Sequence, residues 1–170
     1  MKAAMTTTRW MAAALLLAGV AAWAAETVRD DATLATKAEA VFGKQAGQSF
    51  DAQALKPSAG APRTETVTVT LKPGKGAEVQ AELEAGQGLV FHWSASADVA
   101  VDLHGERLGS QSEYTSYDIE AGQREGAGTL VAPFAGTHGW FWKNRSQQPV
   151  TVTVTITGFY KRLVRHGGQP

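Results

Sequence analysis

Two segments restrict the fold of this chain more than any others. In ETVTVTLK, residues 65–72, Val67, Val69 and Leu71 alternate with Thr66, Thr68 and Thr70. In PVTVTVTITGFY, residues 149–160, Val150, Val152, Val154 and Ile156 alternate with Thr151, Thr153, Thr155 and Thr157. Branched residues at period two fit a pleated sheet buried on one side and wet on the other. The shared pattern predicts that the two strands lie side by side, with threonine facing threonine on the solvent face. Such a ladder needs no ligand to explain it.

Further short segments of strand character lie between these two: 76–84, 88–94, 98–105, 113–120, 128–134 and 139–144. Turn signals at Pro73-Gly74, Ala85-Gly86, Ser94-Ala95-Ser96, Gly105, Gly122, Gly126 and Gly136 separate them. About eight short strands at this spacing predict an all-β fold, an antiparallel β-sandwich over residues 65–164, with 165–170 as a tail.

The region before the strands reads differently. Lys2 and Arg9 precede an apolar run from Met11 to Ala24 that ends in Ala22-Trp23-Ala24. This is the order of a secretory signal peptide, residues 1–24. The run is shorter than the roughly 20 residues a membrane span needs. The expected location is therefore the periplasm; the alternative is an inner-membrane anchor with the domain facing the periplasm. Residues 25–64 read as a helical arm and linker. Asp30-Asp31 can cap a helix, Leu34, Ala38, Val41 and Phe42 recur at helical spacing, and Gly43 is placed to end it. KPSAGAPR, 56–63, follows as the linker.

Composition excludes several functions. The 16 basic and 16 acidic residues are interspersed, so no basic footprint for nucleic acid exists. The absence of cysteine rules out a disulfide framework, a thiolate metal site and a cysteine nucleophile. There is no G-x-S-x-G elbow around Ser94, Ser96, Ser110 or Ser112, and no phosphate-binding glycine loop. Glu106, Glu113, Asp118 and Glu120 read as a solvated loop and strand rather than a glycosidase pair. The expectation is a protein that is not an enzyme.

One stretch carries the candidate site. In GTHGWFWKNRS, residues 136–146, strand parity puts His138, Trp140 and Trp142 on one face and Gly139 and Phe141 on the other. Either the first set fills the core, or it forms a displayed aromatic patch of the kind that anchors interfaces. The displayed reading makes His104, His138, Trp140 and Trp142 a partner- or ligand-binding surface, with Asn144 and Arg145 at its rim. A second reading treats 88–104 as a hairpin. It turns His92, Asp102 and His104 to one side, and with His138 they become candidate ligands for copper or zinc. Lys143, Arg145, Lys161, Arg162 and Arg165 read as solvated protection of strand edges.

The segments VTVTLKPGKGAEVQAELEAGQGLVFHWSASADVAVDLHGE and GTLVAPFAGTHGWFWKNRSQQPVTVTVTITGFY together resemble a group of small proteobacterial transmembrane anchor proteins. More distantly, the order is similar to the GOLD (Golgi-dynamics) β-sandwich. The resemblance covers about residues 65–160 and implies a β-sandwich interaction module with no known enzymatic activity. His104, Gly105, His138, Gly139, Trp140, Trp142, Asn144 and Arg145 match the group's motif. The N-terminus departs from it, with a shorter apolar segment and a cleavage-like end.

Overall fold

The structure, a computed structural model, describes residues 30–58, 60–110 and 114–168. The segment proposed as a signal peptide lies outside the described residues. Among the described residues, no helix is long and apolar enough to cross a membrane. The described residues fall into two compact units, divided between Gln53 and Ala54.

The first unit contains α1, Asp31–Phe42. Its boundaries follow from the capping chemistry. The Asp30 carboxylate accepts the Thr33 N–H at 2.6 Å, and Gly43 closes the helix at φ 77°, where a side chain would be strained. No residue of α1 is buried.

The second unit is antiparallel throughout. Its strands are β1 (Arg63–Leu71), β2 (Gly76–Leu83), β3 (Gly88–Arg107), β4 (Tyr114–Val131), β5 (Gly136–Asn144), β6 (Val150–Gly158) and β7 (Leu163–Gly167). They form one curled sheet in the order β1-β6-β3-β5-β2-β7, with β4 on the other edge of β3. The predicted pairing of the Val/Thr strands holds. β1 lies beside β6, and Thr64–Thr157, Thr66–Thr155 and Thr68–Thr153 meet hydroxyl to hydroxyl at 2.9–3.0 Å.

Among the described residues seven strands replace the eight expected, because two expected turns are absent and one further strand, β7, follows β6. Residues 88–94 and 98–105 run on within β3, and residues 114–120 and 128–131 within β4. A two-residue hairpin turn needs positive φ, which glycine supplies at low cost. In this unit the connections after β1, β2 and β3 have such a glycine at Gly74, Gly86 and Gly109. Ser94-Ala95-Ser96 has none, and Gly122 and Gly126 keep negative φ. The chain answers with register shifts between Ser94 and Val99 instead of reversing. The expected tail also begins too early, since residues 163–167 form β7 on the edge of β2.

The continuity of β3 generates the core. Residues 89–95 pair with β6 and residues 99–107 with β5, so one strand spans both halves of the sheet. The sheet curls until the two inner faces meet. Phe91 then packs on Trp140 at 4.7 Å, and Trp93 on Trp142 at 5.8 Å, both edge to face. Ala77, Val79 and Ala81 of β2 line up beside Trp142, Trp140 and His138 of β5. Small residues on one strand make room for large rings on the next.

Candidate functional site

The aromatic face of β5 is core. His138, Trp140, Trp142 and Asn144 are each at most 1% exposed, while Phe141 is 38% exposed. The expected displayed patch therefore does not exist, and parity resolves in favour of burial. A cavity of about 170 Å³ beside Trp140, among Phe91, Trp93, Leu103 and Asp118, leaves that ring a wall residue. Asn144 ties strands together rather than forming a rim. Its amide donates to the carbonyls of Leu71 and Gln148 at 3.0 and 2.7 Å, and its oxygen accepts the Ser146 N–H at 2.8 Å. Arg145 alone of the six is exposed.

The four predicted metal ligands do not converge. His92 is exposed opposite Thr155 and Ala127, in the other half of β3 from Asp102 and His104. Without a hairpin at residues 94–96, no turn brings it back. His138 points into the core. Only Asp102 and His104 stand together as expected.

The register shows what the two His-Gly dipeptides do. His104 faces Gly139, and Gly105 faces His138, so the pairs lie antiparallel and reciprocal on β3 and β5. A Cβ on Gly105 would sit 2.5 Å from His138 Nδ1 and closer still to the Tyr117 hydroxyl. A Cβ on Gly139 would collide with the Val79 carbonyl and lie 2.6 Å from Gln80 Cα. Each glycine clears space for ring and backbone to approach, and the two imidazoles leave the sheet on opposite faces.

On the inner face, His138 is sealed. Its Nε2–H donates to the Phe134 carbonyl at 2.9 Å, and its Nδ1 accepts from the Tyr117 hydroxyl at 2.8 Å. The Phe134 ring lies 4.8 Å away. Burial holds its pKa below the ordinary imidazole value, against the opposing pull of the Phe134 carbonyl. Both nitrogens are used, which makes this a neutral structural histidine.

On the outer face, His104 reaches across Gly139 to β2. Its Nε2 lies 2.8 Å from Glu78 Oε1, 3.0 Å from the Gln80 amide and 4.0 Å from Glu106 Oε1. Its Nδ1 faces the Asp102 carbonyl at 3.2 Å. The Tyr114 ring stacks on the imidazole at 4.5 Å, and its hydroxyl donates to the Asp102 carboxylate, which also accepts from Ser116 at 3.2 Å. Burial lowers the His104 pKa. The hydrogen bonds to Glu78 and the Asp102 carbonyl, with the charges of both carboxylates, outweigh it and leave the value raised. Burial, then the bond to Asp102, pushes Tyr114 up to about 12.

Sequence reasoning missed Glu78, Gln80, Tyr114 and Tyr117. Alternation in GAEVQAELE already puts Glu78 and Gln80 on one face, but only the β2–β5–β3 pairing brings that face to His104. Lys161 and Arg162, expected to be free edge protection, clamp the buried Glu82 at 3.0 and 2.7 Å and fasten the approach to β7.

No protein-family model matches the sequence, and no curated protein matches it closely. Among solved structures, the chain is similar to PliG of Aeromonas hydrophila, a periplasmic inhibitor of g-type lysozyme. The identity is 11% and the TM-score 0.40, over 61% of this chain and 92% of that one. It is also similar to an oxalate oxidase solved with the substrate analogue glycolate, at 16% identity and TM-score 0.35, over 59% of this chain and 45% of that one. Likeness at this level assigns no function.

Proposed function

We propose that the β unit is a non-enzymatic, exported binding module, and that it recognises a cationic ligand on the outer face around His104. The observation that carries the reading is the convergence of Glu78, Asp102 and Glu106 on one imidazole, on the same sheet face as the exposed Phe141 ring. Phe141 is the register partner of both Glu78 and Asp102, so acid and aromatic share one face. With His104 protonated, the three carboxylates still leave the cluster two charges negative. Carboxylates beside aromatic faces attract ammonium and guanidinium groups. Lys143 and His166 share the face, the first two register pairs beyond Asp102 and the second directly across from Glu78. They bound the negative area.

The test compares two surfaces of one molecule. Immobilised wild-type protein is exposed to periplasmic extract beside two double variants, Glu106→Gln/Phe141→Ala and Thr66→Lys/Thr155→Lys. The first should lose a salt-sensitive partner and the second should retain it. Loss from the threonine-face variant with retention by the cluster variant would move the binding surface elsewhere. N-terminal sequencing of the exported protein tests the export step, and an intact Met1 in the membrane fraction contradicts cleavage.

A further inference from the structure

The same cluster has the form of a cation site built for an ion. Resting on the reading above, we propose that Glu78, His104 and Glu106 bind a divalent transition-metal ion of the zinc type. The three residues offer one nitrogen and two carboxylate oxygens, all within 4.8 Å of one another. Zinc bonds such donors at roughly 2.0–2.2 Å, so donors around one ion stand about 3–4 Å apart. The present separations from His104 Nε2, 2.8 and 4.0 Å, bracket that range.

Three further features favour an ion over an isolated ion pair. The Asp102 carbonyl faces Nδ1 at 3.2 Å, an arrangement that fixes ring orientation and turns Nε2 toward the carboxylates. Metal-binding histidines are held by a partner of this kind on the other nitrogen. Gln80, only 2% exposed, holds its amide 3.0 Å from Nε2 and presents its oxygen there on rotation by half a turn. The ligands also stand on β2 and β3, two strands held in register by their shared neighbour β5, so little ordering is required to assemble them. The imidazole is sealed beneath Tyr114, but the Glu78 and Glu106 side chains are 18% and 44% exposed, which gives an ion its way in. One nitrogen and two oxygens, with no thiolate in the chain, suit zinc, manganese or cobalt(II) better than copper(I).

The experiment is calorimetric titration of the chelator-stripped full chain with Zn²⁺ at pH 7.5, repeated with Co²⁺ for its visible absorption. One ion per chain is expected. Glu106→Gln should weaken binding at least about tenfold and His104→Gln on the order of 100-fold, since loss of a ligand matches or exceeds the loss of a supporting partner. His92→Gln and His166→Gln should leave binding unchanged. Absence of saturable binding, indifference to both Glu106→Gln and Glu78→Gln, or loss on His92→Gln overturns the proposal. If His104→Gln does not fold, Glu106→Gln decides, because its half-exposed side chain is not part of the core. Repeating the extract capture with the chelator present separates the two readings. A cluster-dependent partner retained without metal, together with a failed titration, rejects the ion and keeps the binding surface. Failure of both rejects both.

Discussion

His104 and His138 begin from the same local chemistry and end in opposite states. Both are followed by glycine, both are buried, and each lies across from the other's glycine. What separates them is the third strand that each ring reaches. His138 meets a hydroxyl and a carbonyl, two neutral groups that satisfy a neutral imidazole. His104 meets Glu78 within hydrogen-bond range, and Glu106 lies 4.0 Å off. Burial disfavours the charged form at both sites, but only on the outer face do carboxylates reverse the balance. Depth alone therefore does not set a histidine's role; the chemistry of the neighbouring strand does.

The largest expected effect comes from filling either glycine. Gly139→Ala forces a methyl into the β2 backbone and should cost about 3 kcal/mol in chemical unfolding. Gly105→Ala meets side-chain rather than backbone atoms, and should cost less. The reverse order would mean that the two crossings are not built as described. Next, His138→Ala should cost about 2 kcal/mol, because it leaves a void and strands the Phe134 carbonyl and the Tyr117 hydroxyl.

The pH dependence of stability should then differ in sign. His104 has a raised folded pKa, so its contribution is complete below the unfolded value of about 6.5 and fades as pH rises through the folded value. His138 has a depressed folded pKa, so its contribution is complete above about 6.5 and fades as pH falls toward the folded value. In metal-free protein, the stability gap between wild type and His104→Gln should narrow as pH rises from 5 to 8. The gap for His138→Gln should widen over the same range. Parallel curves for the two variants would erase the distinction. The smallest effect belongs to Glu106→Gln, within about 0.5 kcal/mol of wild type in stability, whatever it does to ion binding.

What the sequence disclosed depended on whether the information was local. The Val/Thr alternation, the Asp30 cap, Gly43 and the glycine turns after β1 and β2 act within a few residues, and all could be read directly. Parity also grouped His138, Trp140 and Trp142 correctly. It left open which side was core, because the answer lies in Ala77, Val79 and Ala81, some sixty residues away. The outer cluster was harder still. Its histidine and Asp102 are neighbours in sequence, but Glu78 joins them only across β5, through the notch at Gly139. The serines at 94–96 misled because they resemble a turn, although only a residue with positive φ reverses a strand tightly.

The most direct test of the account is an NMR pH titration of the imidazole nitrogens, run with and without Zn²⁺. His104 should titrate above the ordinary imidazole value and His138 below it, and the ion should shift only His104. A His138 that titrates above His104, or a zinc response at His138 or His92 with His104 unmoved, would contradict it.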